Sequence, residues 1–132
     1  MLRYMLDSDF CIELLRDKTP ELRQRFNEDS EIYCLSTVVV QELLYGAAKS
    51  ARPDHHAIKV EEFTARLQVL DFDHEAAAHA GEIRANLAKR GCPIGAYDVL
   101  IAGHARSLGL TVFTGNLREF SRVEGLRSES WR

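Results

Sequence analysis

The chain has 132 residues, 45% hydrophobic and 28% charged, with only 3 Pro, a profile that excludes a disordered or low-complexity protein. A single domain over residues 1–132 is expected, long enough to bury a core without disulfide staples. Seventeen Lys and Arg against 20 Asp and Glu give a net charge of −3, which excludes the broad basic footprint of a typical nucleic-acid binder; any phosphate-bearing partner must be attracted locally, by a cation or a small basic patch.

The apolar run from Met1 to Leu6 predicts a first strand, closed by Asp7 with Ser8 and Asp9 behind it. Ile12, Leu14 and Leu15 begin a helix that Pro20 interrupts, and Leu22 to Phe26 predicts a second short helix. Ile32 to Leu35 is a compact strand. Ser36 and Thr37 are N-cap candidates for a helix whose Val40, Leu43, Leu44 and Ala47 recur at helical spacing. Ser50 to Asp54 is a break, and a further helix from His56 to Leu67 follows. Val69 and Leu70 make a third strand that enters the polar turn from Asp71 to His74. Ala76, Ala80, Ile83 and Leu87 stripe a long helix closed by Gly91 and Pro93. Gly95 to Leu108 is the next helix, stopped by Gly109, and Thr111 to Phe113 is a fourth strand ending in the turn Thr114-Gly115-Asn116. Strands alternating with helices predict an α/β fold with a parallel sheet covered on both faces.

No run of about 18 apolar residues predicts a membrane span. Arg3 and Asp7 break the opening apolar segment before a signal peptide can form, so a cytoplasmic protein is expected. Cys11, Cys34 and Cys92 include no CxxC pair and are expected to be free core thiols. His74 and His79 stand five residues apart, which does not place two ligands on one helical face, so zinc is disfavoured.

Carboxylates carry the functional signal. Asp7 ends a strand, at the edge where open α/β sheets hold ligands, although an N-cap role explains it equally well. Glu42 lies about one turn into its helix, off the apolar stripe, where a solvated glutamate is the plainer reading. Asp98 shares spacing with Ile101, Ala102 and Ala105, which sets a carboxylate on or beside an inward face. Burying it unpaired costs several kcal/mol without a cation or hydrogen bonds. Asn116 and Glu119 flank Leu117-Arg118 after the last strand, and each has a local reading as a turn or first-turn helix residue. Taken together these sites converge at strand ends. Oxygen ligands without thiolate or imidazole select a hard cation, Mg²⁺ or Mn²⁺, which binds phosphates and promotes phosphodiester hydrolysis.

Met5-Leu6-Asp7-Ser8-Asp9, the Ser36-Thr37 to Glu42-Leu43 helix start, Gly81 to Ala85, Pro93 to Ala105 and Thr114 to Phe120 together resemble the PIN-domain VapC toxins of bacterial VapBC toxin–antitoxin modules. The resemblance runs from Met1 to Trp131 and is most specific around Asp98. It implies an α/β/α sandwich and a Mg²⁺-dependent endoribonuclease whose acidic ligands map onto Asp7, Glu42 and Asp98, with the variable fourth position on Asn116 or Glu119. It also implies a VapB-type antitoxin that blocks the acidic pocket, a homodimer and larger assemblies with antitoxin, and DNA contact only through the antitoxin. The implied substrate is RNA, with the enterobacterial branch pointing to initiator tRNA cut in the anticodon stem-loop. Two positions depart from the family: Asp9 stands where Asn is usual, and Asn116 is neutral where many relatives carry Asp. Arg84, Lys89, Arg90, Arg106, Arg118 and Arg122 are candidates for contacting the RNA backbone.

Rival readings are weaker. A haloacid-dehalogenase phosphotransferase shares the opening Asp-x-Asp but needs Thr or Val where this chain has Cys11. A receiver module needs a Lys after its last strand, where Thr114-Gly115-Asn116 offers none. A catalytically weak PIN domain that only binds partners remains the alternative.

Overall fold

The computed structural model describes residues 1–17 and 19–131. Five strands form one wholly parallel sheet: β1 (Tyr4–Leu6), β2 (Tyr33–Ser36), β3 (Gln68–Leu70), β4 (Thr111–Thr114) and β5 (Ser128–Ser130), in the order β3-β2-β1-β4-β5. Seven helices connect and cover it: α1 (Ser8–Arg16), α2 (Pro20–Glu28), α3 (Thr37–Ala48), α4 (Pro53–Ala65), α5 (His74–Lys89), α6 (Ala96–Ser107) and α7 (Leu117–Phe120). Central strands β1, β2 and β4 are buried along their length, so they read as unbroken apolar runs rather than alternating ones. The α/β/α sandwich expected from the sequence is the one observed.

The order of the strands matters more than their number. The chain builds outward from β1 through β2 to β3, then crosses back to place β4 on the other side of β1. At such a reversal the helices after neighbouring strands leave toward opposite faces, and a crevice opens beyond the strands' C-terminal ends. Asp7 follows β1 and Thr114 ends β4, so both stand at that crevice. The same order differs from the 2-1-3-4-5 arrangement of receiver modules, which removes that rival.

Several boundaries differ from the sequence reading for local reasons. Ser36, the last residue of β2, caps α3, its Oγ accepting from the Val38 N–H at 3.1 Å. The buried face of α3 is Val38, Val39, Leu43 and Ala47, whereas Leu44, assigned to the inward stripe from spacing, is 40% exposed. That rotation brings Glu42 to the edge of the core, one turn beyond Val38. Strand β5 was not expected; Ser128-Glu129-Ser130 is a short polar edge strand without an apolar pattern. Gly91 (φ 69°) and Gly109 (φ 68°) end α5 and α6 in the left-handed region, as their helix-stop reading implies. No described helix is long and apolar enough to cross a membrane.

Helix α6, which carries Asp98, is pressed against α5 at Gly103. A Cβ at that position would stand 2.6 Å from the Ala80 backbone nitrogen and 2.7 Å from its Cα, both on the neighbouring helix. Gly103→Ala is therefore expected to destabilise the protein by at least about 1–3 kcal/mol through forced separation of α5 and α6. Chemical denaturation checks this, and an unchanged midpoint would show that the two helices part easily.

Candidate active site

Asp7 is both a cap and a site residue. Its backbone is extended (φ −84°, ψ 171°), and Oδ1 accepts the Phe10 N–H at 2.9 Å, which makes Asp7 the N-cap of α1. Its Oδ2 accepts a short hydrogen bond from the Thr114 hydroxyl, across the β1–β4 seam. Only 2% of Asp7 is exposed. Burial pushes its carboxyl up to about 6, against the opposing pull of the Thr114 and Phe10 hydrogen bonds, and the charge of Asp9 raises it further.

Glu42 reaches the same crevice from α3. Burial raises its pKa, the Ser8 hydroxyl lowers it, and Asp9 and Asp7 raise it again. Its Oε1 is buried without a hydrogen-bond partner, a costly state for a carboxylate oxygen.

Asp98 arrives from the first turn of α6. Its carboxyl is raised to about 7, first by burial, then by a hydrogen bond with the Glu119 carboxyl and by the charges of Glu119, Asp7 and Asp9. A negative charge so close disfavours ionisation of the Asp98 carboxyl. Glu119, on α7, also accepts from the Asn116 side-chain amide at 2.8 Å. Asn116 in turn is held by its backbone N–H, which donates to Thr114 Oγ1 at 2.7 Å. Asn116 thus orients Glu119, and Glu119 faces Asp98.

The structure therefore brings Asp7, Glu42, Asp98, Asn116 and Glu119 to one edge of the sheet. Asp9 lies exposed in the first turn of α1, close enough that its charge raises Asp7, Glu42 and Asp98. Two contributors were missed from the sequence. Thr114 bridges Asp7 and Asn116, yet a Thr at a strand end looks like an ordinary strand former. Ser8, whose hydroxyl lies at Glu42, looks like a helix-start residue.

Of six cations considered for RNA contact, three are committed to the fold. Arg90 donates to Asn86 Oδ1 at 2.9 Å and the Arg122 carbonyl at 2.7 Å, while Arg122 donates to the Pro93 carbonyl at 3.1 Å. Arg106 donates to His79 Nδ1, Glu82 and the Glu124 carbonyl, each at 2.9 Å. These bonds fasten the segment after α7 to α6 and to the end of α5, and so help fix Glu119 relative to Asp98. Among the described residues, Arg84, Lys89 and Arg118 carry no such bond.

No three Asp, Glu, His or Cys side chains among the described residues are drawn tightly enough to enclose one ion. The donor set still suits Mg²⁺. It is all oxygen, it includes the unpartnered Oε1 of Glu42, and Mg²⁺ typically takes one or two carboxylates directly while keeping several waters.

Raised carboxyl pKa values carry a sign for stability. A folded-state pKa above the unfolded one means the fold prefers the protonated acid, so stability falls as pH rises from the unfolded value through the folded one. Asp7 alone, moved from 3.8 to about 6, accounts for on the order of 3 kcal/mol lost between about pH 4 and pH 7 without divalent cations. Asp7→Asn keeps an N-cap acceptor and removes the charge. The variant is expected to melt several degrees above wild type at about pH 8 in chelator, and level with it near pH 4. Parallel melting curves at both pH values would contradict the desolvation of Asp7.

The PIN domain family model matches residues 4–126. Over 131 residues, covering 99% of each chain, the sequence is 50% identical to the tRNA(fMet)-specific endonuclease VapC of Salmonella typhimurium. Over the same span and coverage it is 45% identical to ribonuclease VapC2 of Haemophilus influenzae. The fold superposes on the DNA-bound VapBC structure from Salmonella typhimurium with a TM-score of 0.96 and 49% identity, each chain covered in full. With its acidic residues gathered at the sheet's reversal and its whole length accounted for, the chain belongs to the PIN-domain family, in its VapC group.

Proposed function

We propose that this protein is the toxin of a cytoplasmic toxin–antitoxin pair and a Mg²⁺-dependent endoribonuclease, with Mn²⁺ able to substitute, that hydrolyses tRNA. Initiator tRNA, cut in the anticodon stem-loop, is the substrate this reading favours, in line with the 50% identical relative named for tRNA(fMet). The observation that carries the activity is the meeting of Asp7, Glu42 and Asp98 at the β1–β4 crevice, with an unpartnered Glu42 oxygen in it.

Asp7, Glu42 and Asp98 would hold the cation, with Asn116 as an additional oxygen donor. When bound, Mg²⁺ neutralises charge developing on the phosphoryl oxygens and makes a bound water more acidic. The chain's own groups supply positioning and proton handling. Thr114 and the Phe10 N–H fix the Asp7 carboxylate, Ser8 steadies Glu42, and Asn116 turns Glu119 toward Asp98. The Asp98 carboxyl, raised to about 7, can exchange a proton near neutral pH, the range in which a general acid or base works best.

A VapB-type antitoxin that blocks this pocket is the expected partner, in line with the VapBC complex from Salmonella typhimurium, and contact with DNA would run through the antitoxin. A homodimer, and larger assemblies with antitoxin, complete the proposal.

Cleavage of a panel of structured RNAs that includes initiator tRNA tests the reading. Asp7→Asn and Asp98→Asn are each expected to lower the rate about 10²–10⁴-fold without unfolding the protein. Chelation of divalent cations is expected to abolish cleavage, and added Mn²⁺ to restore it. Unchanged cleavage in both variants would remove the carboxylate mechanism. A wild type inert toward every RNA would favour a binding module.

A further inference from the structure

A cleft of about 640 Å³ opens between α1, α3 and α4, within the range of ligand-binding clefts, and Glu42 lies in its wall. Its floor is apolar, from residues such as Leu15, Leu43 and Val60. Its rim carries three cations: Arg16 at the end of α1, Lys49 at the end of α3 and Lys59 on α4. All three are exposed, and among the described residues none forms an ion pair; Lys49 lies 4.9 Å from the centre of the Tyr45 ring. Glu42 is the cleft's only carboxylate.

This arrangement contrasts with the rest of the molecule. The chain is net negative, and carboxylates crowd its reaction site, so a polyanion is repelled unless cations close by counter the field. Arg90, Arg106 and Arg122 are spent on the fold. The comparable cleft between α5 and α6, of about 610 Å³, has Arg84 as its one charged residue. Among the described residues, the α1–α3–α4 cleft combines several unpaired cations with direct continuity to Glu42.

We propose that this cleft is the docking track of the RNA substrate: phosphates lie along Arg16, Lys49 and Lys59, nucleobases rest on the apolar floor, and the strand is delivered past Glu42 to the reaction site. The proposal rests on the ribonuclease reading and adds where the substrate binds. The three cations contact phosphate and not base edges, so they raise affinity for any sequence alike.

The test measures binding separately from cleavage. In an Asp98→Asn background with Mg²⁺ present, fluorescence anisotropy follows a labelled tRNA anticodon stem-loop at graded salt. Each lost phosphate contact on a flexible strand lowers the salt slope by about 0.7, which at about 0.1 M salt is a roughly five-fold loss of affinity. Arg16→Ala, Lys49→Ala and Lys59→Ala are each expected to show that loss. Arg3→Ala removes the same charge at the opposite end of β1 and is expected to change neither slope nor affinity. If the three cleft variants match Arg3→Ala, the track is refuted. Unchanged RNA affinity combined with weakened binding of an antitoxin C-terminal peptide would refute it in favour of a peptide channel. Cleavage by the protein carrying wild-type Asp98 is scored separately, so its absence would fail the ribonuclease reading without being mistaken for failure of docking.

Discussion

Desolvated carboxylates facing one another are the constraint on which the molecule turns. The sheet reverses direction between β1 and β4, and at that crevice α1, α3, α6 and α7 each deliver an acid. Asp7, Glu42 and Asp98 are each less stable ionised here than in water, and each meets a specific neighbour. Phe10 and Thr114 hydrogen-bond to Asp7, Ser8 to Glu42, and Glu119 to Asp98. The surrounding fold keeps the acids from relaxing apart. Gly103 lets α6 sit against Ala80 of α5, and guanidinium bonds tie the segment beyond α7 to α6 and to the end of α5.

That division of labour is what the proposed handling of a polyanion by an acidic protein would require. Arginine's fork suits carbonyl oxygens as well as phosphates, and this chain uses Arg90, Arg106 and Arg122 on its own carbonyls. The positions of the cations left over carry information that the total charge does not. Compensation inside the crevice is local and short-ranged, whereas attraction of substrate has to begin farther out, where the sheet's edge gives way to helices.

Much of this was legible in the sequence. Asp7 was conspicuous only for its place at a strand end, where capping explained it equally well, and Asp98 because its helical spacing tied it to Ile101 and Ala102. Glu42 was legible only by association: the spacing of α3 gave the stripe one residue out of phase, since Val40 and Leu44 look as apolar as Val39 and Leu43. Strand β5 was illegible because an edge strand of Ser-Glu-Ser is held by pairing to β4 and by the Tyr4 hydroxyl donating to Glu129 at 2.8 Å, not by hydrophobic pattern. The fate of each arginine was illegible too. A charge's partner is decided by tertiary approach across dozens of residues, and one-dimensional spacing carries no trace of it.

The dual bonding of Asp7 bears on how such a protein can change over generations. One oxygen closes the first turn of α1 and the other faces the seam with β4, so position 7 answers to two selections at once. The structural one accepts any short polar acceptor, whereas the proposed cation site requires an acid. Loss of activity at this position is therefore separable from loss of the fold. A descendant altered there would keep the fold, and with it the surfaces by which it recognises other molecules.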